Sequence, residues 1–203
     1  AGADVAICAG NAATLNASGG NSYVWYPGGF TGPTISVDPS VSTSYTVVGT
    51  DAFGCTNSDT VDVAVNSLPV ATISPDVDIC QGGSATLTAG GGSTYTWTPT
   101  GSTTGTITVN PGSSTTYNVQ VSDGNGCSTT ASVNVNVHSL PPVNLQSSFL
   151  CAGSVTTLDA GPGSVSYYWT PTGDTTRTLS VSTGGTYAVT LTDAWGCTTT
   201  ASA

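Results

Sequence analysis

Six cysteines carry the most specific chemistry in this chain, and their spacing is regular. Cys8, Cys80 and Cys151 recur at a nearly constant interval, and Cys55, Cys127 and Cys197 follow them at a second, shorter one. Thiols so placed could hold zinc or form disulfides. Structural zinc takes four convergent ligands, commonly from CxxC pairs and histidines. There is no CxxC here, and His138 is the only histidine. Disulfides remain, and they place the chain in an oxidising compartment. Many pairings are formally open to six cysteines. The set that follows the spacing is Cys8–Cys55, Cys80–Cys127 and Cys151–Cys197, and it is the expected one. Closing loops of that size contributes on the order of 4 kcal/mol each in the chain-entropy picture.

The carboxylates come next. All eleven acids are Asp, Arg177 is the only basic residue, and the net charge is −10. Such a chain lacks the clustered cations that bind nucleic acid or anionic membranes. No apolar run approaches the ~18–20 residues of a membrane helix, so membrane insertion is not expected. Asp51, Asp123 and Asp193 each open an Asp-x-x-Gly segment ending at Gly54, Gly126 or Gly196, directly before a cysteine. These read as hairpin turns, with Asp capping its own turn and Gly taking positive φ. Calcium is the rival use and needs about six to eight oxygens at one point. The acids to watch for it are Asp4, Asp76 and Asp78, but no loop has an EF-hand pattern, and no cofactor or metal site is expected. Glycoside cleavage needs one carboxyl held neutral beside a second, and no Asp lies within an apolar strand interior. His138 reads as a solvated linker residue and Arg177 as a surface strand residue, so no catalytic residue is assigned and the chain is not expected to be an enzyme. Phe53 and Trp195 occupy one varying turn position and are candidate surface contacts, either for a neighbouring domain or for sugar rings. Asn16-Ala17-Ser18 is a formal N-glycosylation sequon at Asn16.

These residues sit in a threefold repeat. Each first cysteine is followed by a small-residue loop and a Thr-Leu pair, and then by a Trp at a near-constant distance: Trp25, Trp97 and Trp169. An x-Pro step follows each Trp (Pro27, Pro99, Pro171), and Tyr45, Tyr117 and Tyr187 each precede the second cysteine at one fixed interval. The Trp and Tyr are the expected core aromatics. The copies run over 1–66, 67–138 and 139–203, joined by short Pro-bearing linkers that suit semi-rigid hinges. Ser and Thr are abundant, with many Val, Gly and Pro and no Lys, Glu or Met, which favours strands and turns over helix. In the middle copy, Ala71–Ser74, Ala85–Ala89, Tyr95–Thr98, Gly105–Asn110, Thr116–Ser122 and Ser132–Val137 alternate or extend as strands. The fold class is therefore all-β: three tandem immunoglobulin-like sandwiches, each with one internal disulfide, arranged as a rod.

The pattern Cys-x-Gly, Leu, Trp-x-Pro, Tyr-x-Val, Asp-x-x-Gly-Cys resembles the PKD-like and Ig-like repeats of large Bacteroidota surface proteins, over the whole chain. That resemblance implies adhesin stalks or gliding-associated filaments exported by the type IX system. It also implies O-glycan acceptors at Thr60 in Asp59–Val61 and Thr175 in Asp174–Thr176. The expected function is a structural segment of an extracellular, cell-surface fibre or adhesin stalk. The expected partners are further copies of the array, packed lengthwise, with a glycan or cell-surface ligand as a second candidate. The alternative is a carbohydrate-binding module using loop aromatics. The first copy lacks a strand matching Ala71–Ser74 and the third lacks most of its last strand. The array is thus expected to continue, or else to borrow strands from a neighbour.

Overall fold

The computed structural model describes all 203 residues, and its regular structure is entirely strands. No helix is long and apolar enough to cross a membrane. Two units result. The first comprises Ala1–Ile73, Thr88–Gly105 and Asn118–Ala131; the second comprises Ser74–Leu87, Thr106–Tyr117 and Ser132–Ala203. The middle repeat thus contributes to both, where the repeat alone suggests three domains.

In the first unit, β1 (Val5–Cys8), β2 (Ala13–Asn16), β3 (Ser22–Tyr26), β4 (Phe30–Thr31), β5 (Thr34–Val37), β6 (Thr43–Thr50) and β7 (Thr56–Asn66) form two facing sheets. One has the order β1-β7-β6-β3-β4, and the other is β2-β5. Period-2 alternation explains why they face each other, because successive side chains point to opposite sides of a strand. Leu15, Ile35 and Val37 from one sheet meet Trp25, Tyr45, Val47, Val61 and Val63 from the other in a single core. The alternate Thr, Ser and Asn residues meet water. This is an immunoglobulin-like sandwich, and β1 runs parallel to β7, with Val5 opposite Val63 and Cys8 opposite Asn66.

The middle repeat supplies β8 (Thr72–Ile73), β9 (Val77–Cys80), β10 (Ala85–Gly90), β11 (Thr94–Thr98), β12 (Thr106–Val109), β13 (Thr115–Ser122) and β14 (Ser128–His138). In the first unit, β8 pairs with Ala89 and Gly90 of β10, and β11 pairs with the second half of β13. In the second unit, β9 runs parallel to the end of β14, with Cys80 opposite His138. Six of these seven strands coincide with expected ones; β9 does not, and its parallel pairing repeats that of β1.

The third repeat, in the second unit, has β15 (Thr156–Asp159), β16 (Ser166–Thr170), β17 (Thr178–Val181), β18 (Ala188–Thr192) and β19 (Thr198–Ser202). Sheet β15-β17 faces sheet β16-β18-β19 around Leu158, Trp169, Leu179, Val181, Val189 and Leu191. Residues 143–151 form no strand here. By contrast, β1 and β9 bond to the last four residues of an eleven-residue strand in the first two repeats.

Trp25, Trp97 and Trp169 are fully buried. A buried indole N–H needs an acceptor, and each finds the carbonyl seven residues on: Gly32 at 3.0 Å, Thr104 at 2.9 Å and Thr176 at 2.9 Å. The intervening loops all contain a cis x-Pro bond, at Tyr26–Pro27, Thr98–Pro99 and Thr170–Pro171. Tyr45 and Tyr117 are buried in the core, whereas Tyr187 is only half-buried, its hydroxyl donating to the Thr183 carbonyl. The structure adds a second tyrosine set that the spacing does not single out. Tyr23, Tyr95 and Tyr167, each two residues before its Trp, donate to the carbonyls of Gly20, Gly92 and Gly161.

Candidate functional site: turn tips and cysteine bridges

The Asp-x-x-Gly segments are turns with one geometry. Asp51 Oδ1 accepts the backbone N–H groups of Phe53 and Cys55, Asp123 Oδ1 those of Asn125 and Cys127, and Asp193 Oδ1 those of Trp195 and Cys197, all at 2.8–2.9 Å. Gly54, Gly126 and Gly196 have φ of 84°, 82° and 81°, a region an L side chain resists. Every turn therefore holds the backbone of the following cysteine in place.

What those cysteines bond to differs from the sequence-based expectation. The bridges are Cys8–Cys127 in the first unit and Cys80–Cys197 in the second, with Cα–Cα distances of 5.5 Å. Cys55 and Cys151 are free and exposed. The pairs Cys8–Cys55, Cys80–Cys127 and Cys151–Cys197 do not form, and strand length explains why. Cys8 sits opposite Asn66 at the end of β7, while Cys55 directly precedes its start. Eleven residues of strand at ~3.3 Å each put these cysteines on the order of 35 Å apart, far beyond the ~7 Å a disulfide tolerates. The same holds for Cys80, opposite His138, and Cys127, which precedes Ser128. A first cysteine lies at the exit of its sandwich. The cysteine it can reach is on the turn tip of the next repeat.

The second unit shows what accompanies a bridge. His138 is the last residue of β14, not a solvated linker residue. Its Nε2 lies 2.8 Å from Asp78 Oδ1, and its ring stacks on Trp195 with centroids 3.9 Å apart and planes 15° from parallel. One face of Trp195 is thus spent on a packing contact, although the residue remains 64% exposed; Phe53, at the equivalent tip, is 93% exposed. A pocket of about 350 Å³ lies beside the pair, lined by Pro141, Pro142, Gly163 and Val165.

The acids weighed for calcium have structural duties. Asp4 Oδ1 accepts the Asp62 N–H and Asp76 Oδ1 the Asn134 N–H, one beside each parallel ladder. No three carboxylate, imidazole or thiol side chains gather as a metal cluster. No Asp is buried, and the carboxyl groups that depart from their ordinary pKa all move downward, opposite to what a general acid requires. Asp76 is lowered by the Asn134 backbone N–H and then its side-chain amide, and Asp78 by His138. Asp159 is lowered by the Arg177 guanidinium, which grips it through Nε at 2.7 Å and a terminal nitrogen at 2.5 Å. Asp174 is lowered by the Thr176 hydroxyl. The exposed glycan candidates are Asn16 at the end of β2, Thr60 within β7, and Thr175 between β16 and β17.

These depressions set an expected pH response. A carboxyl lowered in the fold stabilises it above the unfolded-state value, and that contribution is lost as pH falls through the lowered value. The melting temperature should therefore hold near neutrality and fall progressively below about pH 4. Asp76→Asn keeps an acceptor for the Asn134 N–H but removes the titration, so its acid limb should be shallower. An acid limb identical to the wild type's would show that Asp76 does not stabilise the ladder through its charge.

No protein-family model and no curated protein matches the sequence. Solved structures of similar fold include a Ca2+-stabilized adhesin that helps an Antarctic bacterium reach out and bind ice. It has 17% identity and a TM-score of 0.36, over 97% of this chain and 69% of that one. The N-terminal eight Ig domains of Down Syndrome Cell Adhesion Molecule give 14% identity and a TM-score of 0.34, over 98% of this chain and 34% of that one. A complex of Dpr2 Ig1-Ig2 with DIP-Theta Ig1-Ig3 gives 14% and 0.34, over 98% of this chain and 95% of that one. The present chain thus spans about a third of the length of the eight-domain adhesion structure. All three likenesses are distant.

Proposed function

We propose that this chain is a structural segment of an extracellular fibre or adhesin stalk on a bacterial surface, made of three immunoglobulin-like repeats in tandem. The observation that carries this reading is the bridge pattern: each disulfide joins a cysteine of one repeat to the turn tip of the next. A bridge inside a domain stabilises that domain. A bridge from one repeat to the next fixes a junction, which is what a load-bearing array requires and a freely hinged ligand-binding string does not. Disulfides also suit an oxidising, extracytoplasmic location. The near absence of Lys and Arg, with Arg177 the only basic residue, suits a surface exposed to foreign trypsin-like proteases.

The test is to decorate cells that make the parent protein with an antibody against this chain. Gold label should lie along extracellular filaments at repeating intervals, and the isolated chain should give no signal on a glycan array. Label confined to the cell interior would overturn the fibre reading. Sugar binding abolished by Trp195→Ala would favour the carbohydrate-binding alternative.

A further inference from the structure

We propose that Cys55 and Cys151 are the two halves of a third bridge of the same kind, which joins one copy of this chain head to tail to a second copy. This deepens the fibre reading and rests on it. Cys55 occupies the turn-tip position of Cys127 and Cys197, while Cys151 matches the exit cysteines Cys8 and Cys80 in the sequence repeat. Both equivalents of each are bridged, always tip to exit and always one repeat apart. The two remaining thiols are therefore one tip and one exit, complementary to each other and not to themselves.

The Cys55 end has the features of a bridging tip without its cover. Asp51 Oδ1 holds the Cys55 N–H at 2.9 Å, as Asp123 and Asp193 hold those of Cys127 and Cys197. The bridged tip cysteines are buried, at 0% and 1% exposure, whereas Cys55 is open to solvent. Trp195 rests on the His138 ring, while Phe53 at the same tip position stands free. Beside Cys55 lies a groove of about 440 Å³ lined by Ala17, Gly19, Gly20, Tyr23 and Asp59. The Cys55 thiol is accessible to an incoming chain.

The oxidant would be a small-molecule disulfide such as oxidised glutathione. The Cys55 thiolate attacks one of its sulfurs, releasing one glutathione thiol and leaving a mixed disulfide. The Cys151 thiolate of the second copy then attacks the Cys55 sulfur and releases the second glutathione thiol. The two cysteines are oxidised, the glutathione disulfide is reduced, and the two cysteine protons end on the departing thiols.

The experiment incubates the 203-residue chain in a glutathione redox buffer and resolves it on non-reducing gels, alongside Cys55→Ser and Cys151→Ser. Both variants retain the Cys8–Cys127 and Cys80–Cys197 bridges. The wild type should form a ladder that reductant collapses, and each variant alone should stay monomeric. An equimolar mixture of the two should give a heterodimer and nothing larger, with Cys55 linked to Cys151 in its peptide map. Homodimers in the single variants as abundant as the heterodimer would mean indiscriminate thiol oxidation and overturn the proposal, as would the absence of dimers. Because the readout is linkage of purified chains, its failure leaves the filament labelling on cells as a separate result.

Discussion

Reducing the two bridges should destabilise the fold by several kcal/mol and more than triple the distance over which a pulled chain can extend. The bridges close loops with sequence separations of 119 and 117 residues, and a loop of that length is worth up to about 4–5 kcal/mol in the chain-entropy model. The mechanical effect follows from covalent connectivity. With both bridges intact, the shortest path from end to end runs from Ala1 to Cys8 and crosses to Cys127. It then goes back to Cys80, crosses to Cys197 and reaches Ala203. About 60 residues at ~3.5 Å each allow roughly 210 Å of extension, against roughly 700 Å for the reduced chain. Single-molecule pulling with and without reductant measures both lengths. An oxidised chain that extends as far as the reduced one would show that the bridges carry no load.

Trp169→Ala should be the most damaging single substitution in the third repeat, costing about 3–5 kcal/mol for the lost buried ring and its cavity. The ring is fully buried among Leu158, Leu179, Val181, Val189 and Leu191. Its removal also strands the Thr176 carbonyl, which the indole N–H satisfies at 2.9 Å. Trp169→Phe separates the two effects. It keeps most of the apolar volume and loses the donor, so about 1–3 kcal/mol should remain. Denaturant unfolding of both variants checks this. Equal losses would place the whole effect in the hydrogen bond, and a loss under about 1 kcal/mol for the alanine variant would remove the Trp from the core.

Features written into a short stretch of sequence are legible. The Trp, the strands with alternating Val and Thr, and the Asp-x-x-Gly turns depend on near neighbours in the chain, and the structure has them where the pattern puts them. Long-range features are not legible in the same way. The short strand β9, Val77-Asp78-Ile79-Cys80, finds its parallel partner in β14, with four other strands between them in the chain. Read as the start of a loop, Cys80 is free to reach its own repeat's second cysteine. Placed in a parallel strand opposite His138, it stands a full strand length from Cys127. The eleven-residue length of β7 and β14 is the available signal, since it separates the two cysteines of one repeat to opposite ends. The His138–Trp195 contact escapes the sequence for the same reason: spacing within one repeat says nothing about which side chain of the next repeat will meet it.

Peptide mapping of the native, non-reduced chain tests the central claim most directly. Trypsin has one site, at Arg177, so a protease that cleaves after aromatic and aliphatic residues is required. Pulling cannot substitute for mapping, since within-repeat pairs would leave nearly the same covalent path. The account predicts disulfide-linked peptides joining Cys8 to Cys127 and Cys80 to Cys197. Peptides joining Cys8 to Cys55 and Cys80 to Cys127 would contradict it and return each bridge to the interior of a single repeat.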